Sequence, residues 1–192
     1  MSLRPPFELG LWNAWIIIGL SFLTTIVPSL INKEAMKKFT ATPSVPYSKM
    51  EKIPERIYPL LALAAIVYSI FLPLRLGTVW FYVGLPICFL ALLMNLVTAV
   101  SFATTPLDEL VTKGTYRVSR NPTFFGTFLM NVGIGIACGS WIYLLYAVVF
   151  IILMHIGVAP EERFLLERYG NAYREYMNKT PRWIGIPKSG GE

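Results

Sequence analysis

Long apolar runs separated by short basic loops are the feature that most constrains this chain. The run over residues 77–104 is long enough to cross a bilayer core of about 30 Å, which takes about 20 helical residues. Residues 8–31 form a second such run, and residues 58–73 form a shorter one that needs tilt or local thinning to span. Residues 124–156 hold two short apolar segments separated by Gly139-Ser140, which favours a tight turn. We therefore expect an all-α integral membrane protein with about five transmembrane helices, the last two forming a hairpin.

The composition agrees with a membrane protein. The chain is 55% hydrophobic and 15% charged, whereas soluble domains carry about 25% charged residues. Its net charge of +6 lies in loops between apolar runs, so we expect anionic lipid as the partner and no nucleic acid. Cys88 and Cys138 lie in apolar segments and are expected to be buried as small hydrophobic residues. One histidine and two distant cysteines cannot supply a zinc site, so no metal is expected.

The distribution of lysine and arginine predicts the orientation. Nearly all of them lie in residues 32–57, in the loop after residue 104 or in the tail after Pro160, and only Arg4 and Arg75 fall on the other side. The positive-inside rule then places the N-terminus outside and the C-terminal helical tail in the cytoplasm. We divide the chain into residues 1–104, three helices with a cytoplasmic loop 32–57, and residues 105–192, a loop, a hairpin and the tail. Within the first loop, INKEAMKKF is typical of an interfacial helix and ATPSVPYS of a turn-rich segment.

The segment GTYRVSRNPTFFG, residues 114–126, is the first candidate for chemistry. Asn121 can cap a helix whose first residue is Pro122. The free N–H groups of such a helix start favour an anionic group, and Arg117 and Arg120 add positive charge. The alternative is an ordinary basic flank of a transmembrane helix with a helix cap.

The second candidate is the pair Glu161-Glu162, directly after Pro160. These carboxylates either occupy the first turn of a tail helix or face a ligand at the membrane edge. His155 lies inside the fifth span, where it marks a site or forms a hydrogen bond to a neighbouring helix. For the tyrosines 169, 173 and 176 we expect a packing stripe, and for Gly133 and Gly135 a close approach of helices.

Both candidates together resemble a known family. The chain resembles isoprenylcysteine carboxyl methyltransferases and the related phospholipid methyltransferases. The resemblance is carried by four elements in this order: G-x-Y-x-x-x-R-N-P-x-x-x-G, a short hydrophobic hairpin, E-E-x-x-L-x-x-x-Y-G-x-x-Y-x-x-Y, and P-R. The resemblance covers residues 108–184, and the first three spans carry no such signature. It implies a membrane methyltransferase that takes S-adenosyl-L-methionine as cofactor, releases S-adenosyl-L-homocysteine and acts on a lipophilic, prenylated substrate, with the isoprenylcysteine carboxylate as the expected acceptor.

The resemblance also implies a cytoplasm-facing cofactor site. Its predicted residues are Tyr116, Asn121, Pro122, Thr123, Phe124 and Glu161, with weaker matches at Leu110 and Val111, and we add His155 for its depth in the span. The predicted catalytic residues are Arg120, Glu162 and Arg163, one arginine holding the acceptor carboxylate. Most members have histidine where this chain has Asn121, and an arginine where it has Gly157. The tail from Glu162 to Tyr176 is expected to close over the cofactor.

Three alternatives stay open. A sterol-type reductase using NADPH shares the R-[HN]-P element, but such enzymes carry Asp-Glu and a longer chain. A phospholipid amine N-methyltransferase fits the same motifs. A scaffold or small transporter is disfavoured, because the polar residues cluster at one membrane face rather than along a midplane path.

Overall fold

The computed structural model describes residues 7–34, 45–106 and 108–185. Within these ranges the regular structure is helical apart from one isolated β-bridge between Asn13 and Pro73, so the predicted all-α class is confirmed. The helices are α1 (Trp15–Ile31), α2 (Lys52–Ile70), α3 (Val79–Ala103), α4 (Pro122–Ala137), α5 (Trp141–Tyr169) and α6 (Asn171–Lys179), with a 3₁₀ turn over Gly114–Arg117. Most of the interfacial helix predicted in the first loop lies outside the described residues.

In the part of the chain that the structure describes, three helices are long and apolar enough to cross a membrane: α2, α3 and α5. α4 and the segment Trp15–Thr24 of α1 are apolar but shorter. The outward faces carry large exposed apolar side chains, among them Leu63, Phe89 and Leu145. Because a soluble protein rarely exposes such a belt, the surface is that of an integral membrane protein. The count of five spans stays a prediction.

The second span begins earlier than we predicted, at Lys52 rather than near residue 58. Ser48 and Glu51 explain the difference. The Ser48 N–H donates to the Glu51 carboxylate at 2.7 Å, and the Glu51 N–H donates to Ser48 Oγ at 3.3 Å. This reciprocal pair is a capping box, which satisfies two orphan N–H groups and starts the helix inside the polar segment.

One interpretation of the sequence predicted that a new helix begins at Glu161 and starts the tail. In the structure no helix begins there. Helix α5 continues through Pro160 to Tyr169 and is 29 residues long. At 1.5 Å per residue it extends about 43 Å, which exceeds the hydrocarbon thickness of about 30 Å. A single helix therefore carries Glu161 and Glu162 out of the membrane-spanning part. It ends at Gly170, whose φ of +53° suits glycine.

Small residues bring α3 and α4 together. A Cβ on Gly84 would lie 2.3 Å from the Ala137 backbone nitrogen, and one on Gly133 would lie 2.6 Å from Cys88 Sγ. The predicted close approach at Gly133 is thus confirmed, and so is the burial of Cys88 and Cys138. Between α4 and α5 the predicted hairpin turn has Gly139 at φ +61°, and Ser140 Oγ accepts from the Tyr143 N–H at 3.2 Å.

Candidate functional site

The loop before α4 is fixed to the end of α3. Its 3₁₀ turn begins at Gly114, where a Cβ would lie 2.1 Å from Ser101 Oγ. The Thr98 and Thr115 hydroxyls form a hydrogen bond of 2.8 Å. Helix α4 starts as predicted, with Asn121 preceding it and Pro122 as its first residue. These contacts hold the loop and the start of α4 in a fixed position next to the end of α3.

Asn121 does not cap α4 with its side chain, contrary to our expectation. Its Nδ2 instead donates to the Arg182 carbonyl oxygen at 3.1 Å. The backbone N–H of Arg120 donates to the Pro181 carbonyl at 3.0 Å, and that of Gly185 to the Val118 carbonyl at 3.1 Å. Residues after α6 therefore pack directly on the loop that carries the first motif.

Helix α6 is held against the same loop. The Tyr176 hydroxyl donates to the Tyr116 carbonyl oxygen at 2.6 Å and lies 3.4 Å from the Ser119 carbonyl. The Tyr169 hydroxyl donates to the Glu109 carbonyl oxygen at 3.2 Å. Tyr173 and Tyr176 are buried, as a packing stripe requires. The tail thus lies over the loop.

A buried carboxylate between two arginines forms the electrostatic centre of the site. Glu162, with a side chain 7% exposed, accepts from Arg182 Nη2 at 2.5 Å and from Arg182 Nε at 3.2 Å. Arg120 Nη1 lies 3.5 Å from Glu162 Oε1, the oxygen that also accepts from Arg182 Nε. Two guanidinium groups share one carboxylate, so the cluster carries net positive charge. Arg120 Nε and Nη1 are buried and find no hydrogen-bond partner among the described residues.

A cavity of about 70 Å³ lies beside this cluster, and we call it the tail pocket. Burial raises the pKa of Tyr116 and of Tyr173, so both phenols stay protonated and neutral at pH 7. The structure brings together four of the predicted residues here and adds four tail residues. The lining consists of Leu110, Val111, Tyr116, Arg120, Leu165, Tyr169, Tyr173 and Tyr176.

The remaining matches of the first motif lie beside the tail pocket. The Thr123 side chain lies beside the Tyr116 hydroxyl. Phe124 packs against the aliphatic and aromatic cluster around Phe150 and Trp183. Glu161 is half-buried and lies close enough to Tyr116 to act on it electrostatically. Of the predicted cofactor residues, Leu110, Val111 and Tyr116 line the tail pocket.

Two predicted residues lie apart from it. His155 is exposed on α5, where its Nδ1 accepts from Trp183 Nε1 at 3.2 Å and the two rings stack. Arg163 points away from Glu162 and binds both carboxylate oxygens of Glu51, at 2.5 and 2.9 Å. Arg163 thereby fastens the segment before α2 to α5, while Arg120 alone of the two predicted arginines lines the tail pocket.

Sequence reasoning assigned no role to Arg182. Its position in the terminal Pro-Arg of the second motif was the available signal, but nothing in the sequence indicated that its guanidinium reaches back to Glu162. The tail tyrosines were expected to pack and were not expected to line a pocket. Both omissions concern contacts across the turn at Gly170.

Comparison with known proteins identifies this region. Residues 94–172 match the phospholipid methyltransferase family. A protein-S-isoprenylcysteine O-methyltransferase of Schizosaccharomyces pombe is 32% identical over 79 residues, which are 41% of this chain and 33% of that protein. The matched part thus spans about a third of the relative's length. The resemblance stated from the sequence is confirmed over this region, which holds the loop, α4 and Glu161-Glu162, while Arg182 lies beyond it.

Proposed function

We propose that this chain is an S-adenosyl-L-methionine-dependent methyltransferase of the membrane, and that its acceptor is the carboxylate of a lipophilic molecule of the isoprenylcysteine type. The observation that carries the proposal is the buried Arg120 guanidinium, which is short of hydrogen-bond partners at the wall of the tail pocket. A buried donor of this kind is costly unless a ligand satisfies it. The family match supports methyl transfer over the NADPH-dependent reductase.

The residues around the tail pocket fit the cofactor in chemistry. Aromatic and aliphatic faces from Tyr116, Tyr173 and Leu110 suit a nucleoside, and the half-buried Glu161 carboxylate would accept its hydroxyl or amino protons. When bound, S-adenosyl-L-methionine supplies a sulfonium methyl group. A cavity of about 70 Å³ holds only part of such a molecule. We therefore infer that α6 moves outward on binding and closes again afterwards.

The charge of the cluster favours a carboxylate acceptor over an amine. Glu162 neutralises only one of the two guanidiniums that flank it, and Glu161 is assigned to the cofactor, so the charge of Arg120 is left to attract an anionic acceptor. A carboxylate is already ionised at pH 7 and needs no general base. Arg120 would hold it, and Glu162 acts as a positioning residue for both arginines. Arg163 is committed to Glu51 and receives no part in acceptor binding.

Placement at the membrane edge follows from the substrates. A prenyl chain leaves the bilayer at a cost of roughly 0.8 kcal/mol per CH₂, whereas the cofactor comes from water. A site at the level where α5 leaves the hydrocarbon can receive the prenylated acceptor from the bilayer and the cofactor from water. Orienting acceptor and methyl donor in a site without water can supply about 7–11 kcal/mol of the barrier. We also infer that this face is cytoplasmic, because the basic loops lie on it.

Calorimetric titration of the detergent-purified protein with S-adenosyl-L-homocysteine tests the cofactor assignment. We expect micromolar binding that Glu161→Ala abolishes, no heat with NADPH, and unchanged binding for Glu167→Ala, an exposed glutamate on the same helix. Binding of NADPH in place of the nucleoside would instead support a reductase. Loss of binding in both variants would show that α5 as a whole, rather than Glu161, was disturbed.

A transfer assay tests the acceptor. With a prenylated cysteine derivative as acceptor, Arg120→Leu is expected to raise KM much more than it changes the affinity for S-adenosyl-L-homocysteine. Equal effects on both would place Arg120 at the cofactor. Methylation of phosphatidylethanolamine, with none of the prenylated acid, would replace the carboxylate assignment by the amine alternative.

A further inference from the structure

Arg163 fastens a segment of the first loop to α5. Its guanidinium binds both carboxylate oxygens of Glu51, and its Nη2 also donates to the Pro46 carbonyl oxygen at 2.9 Å. The capping box between Ser48 and Glu51 fixes the same segment to the start of α2. We call residues 45–51 the first-loop wall. Because the bonds from Arg163 join residues 112 and 117 positions apart, packing of the helices places this wall against α5.

One face of α5 leads from the start of α2 to the tail pocket. Gly157, Glu161 and Leu165 are four residues apart on this helix and therefore share that face. A Cβ on Gly157 would lie 3.3 Å from the Cβ of Pro54, so the start of α2 packs closely there. Leu165 lines the tail pocket. Glu161 thus lies between the tail pocket and the start of α2, which the first-loop wall directly precedes.

Tyr47 on the first-loop wall lies near the same carboxylate. Its side chain is half-buried, and Glu161 is close enough to act electrostatically on its hydroxyl, as it does on that of Tyr116 in the tail pocket. Burial and the carboxylates of Glu55 and Glu161 raise the pKa of Tyr47, so its hydroxyl is protonated at pH 7 and can donate a hydrogen bond. Tyrosines from both halves of the chain therefore lie around Glu161.

We propose that the first-loop wall is a second side of the cofactor site: Tyr47 contacts the cofactor held at Glu161, and Arg163 is the positioning residue that keeps Tyr47 there. The proposal rests on the proposed function and deepens it, because Tyr47 lies outside the family-matched residues 94–172. The tail pocket of about 70 Å³ holds only part of S-adenosyl-L-methionine, so the cofactor needs contacts beyond its lining. Tyr47 supplies one beside Glu161, since a tyrosine offers both an aromatic face and a hydroxyl.

Calorimetric titration of the detergent-purified full chain with S-adenosyl-L-homocysteine tests this proposal. The variants are Tyr47→Ala, Arg163→Leu and the double variant, with Lys49→Ala as the control at an exposed position of the same segment. Thermal unfolding without the nucleoside checks that each variant is folded. The double variant separates positioning from a general structural role, because a residue that acts only through Tyr47 has no effect on binding once the Tyr47 side chain is removed.

We expect Tyr47→Ala to weaken nucleoside binding about tenfold and Lys49→Ala to leave it unchanged. Arg163→Leu is expected to weaken binding by about threefold or more in the wild type and not at all in the Tyr47→Ala background.

Wild-type affinity in Tyr47→Ala overturns the proposal and leaves the methyltransferase assignment standing, even if Arg163→Leu fails to fold. An equal loss from Arg163→Leu in both backgrounds overturns its positioning role. Absence of nucleoside binding in the wild type would instead overturn the methyltransferase assignment and this proposal together.

Discussion

Replacing Glu162 by glutamine tests whether the ionic cluster holds the tail in place. The substitution keeps the shape of the side chain and removes the charge that Arg120 and Arg182 share. The backbone bonds from Arg120 to Pro181 and from Gly185 to Val118 remain possible. We therefore expect the tail to open more often, with the helices of the bundle unaffected.

The magnitude follows from burial. Removing one partner of a buried ion pair costs about 3–5 kcal/mol. Arg120 is 11% exposed in its side chain and Arg182 is 32% exposed, so water compensates part of the loss at Arg182 and the lower end of that range applies. A cost of about 3 kcal/mol raises the equilibrium fraction of opened tail roughly 100-fold.

Hydrogen exchange measures this opening directly. The amides of Arg120 and Gly185 donate across the contact between loop and tail, so they exchange only when the tail detaches. Where closing is faster than exchange, their rates follow the opened fraction. We expect both amides to exchange roughly 100-fold faster in Glu162→Gln, and the exposed Glu167→Gln to leave them unchanged. Exchange within threefold of the wild type would refute the view that this carboxylate fastens the tail.

Three further results are expected. Gly84→Ala should lower the thermal midpoint by an amount equivalent to about 1–3 kcal/mol, because its Cβ meets the α4 backbone, whereas Gly19→Ala, with open space around it, should not. Tyr176→Phe should cost about 1–3 kcal/mol of tail stability by leaving a buried carbonyl unpaired, and exchange at the Arg120 amide would report it; an unchanged rate would argue against that bond. Arg163 holds the pKa of the Glu51 carboxyl at about 2, below its ordinary 4.5. The pair therefore stabilises the fold fully above pH 4.5, and this stabilisation is lost as the pH falls from 4.5 to 2. Acid unfolding of Glu51→Gln should lack that loss of stability.

The parts of the site that the sequence predicted are those set by local chain geometry. Asn121-Pro122 begins α4 because proline needs no N–H partner at a first helical position. Tyr116 and Thr123 were implied by the family resemblance and Arg120 by its place in the same motif; Tyr116 and Arg120 line the tail pocket. His155 was added for its depth in the span, and Arg163 as an arginine that could hold the acceptor carboxylate. Their side chains leave α5 in other directions, toward Trp183 and Glu51.

The sequence by itself determined the all-helical class, the positions of the apolar helices, the hairpin turn at Gly139 and the motif that begins α4. These depend on hydropathy over one helix length and on the backbone preferences of glycine and proline, which are local properties. Only the tertiary structure decided that Arg182 pairs with Glu162 and that Arg163 pairs with Glu51. Such pairings join residues 20 to 112 positions apart. They arise from how the helices pack and where the tail folds back, which no local pattern encodes.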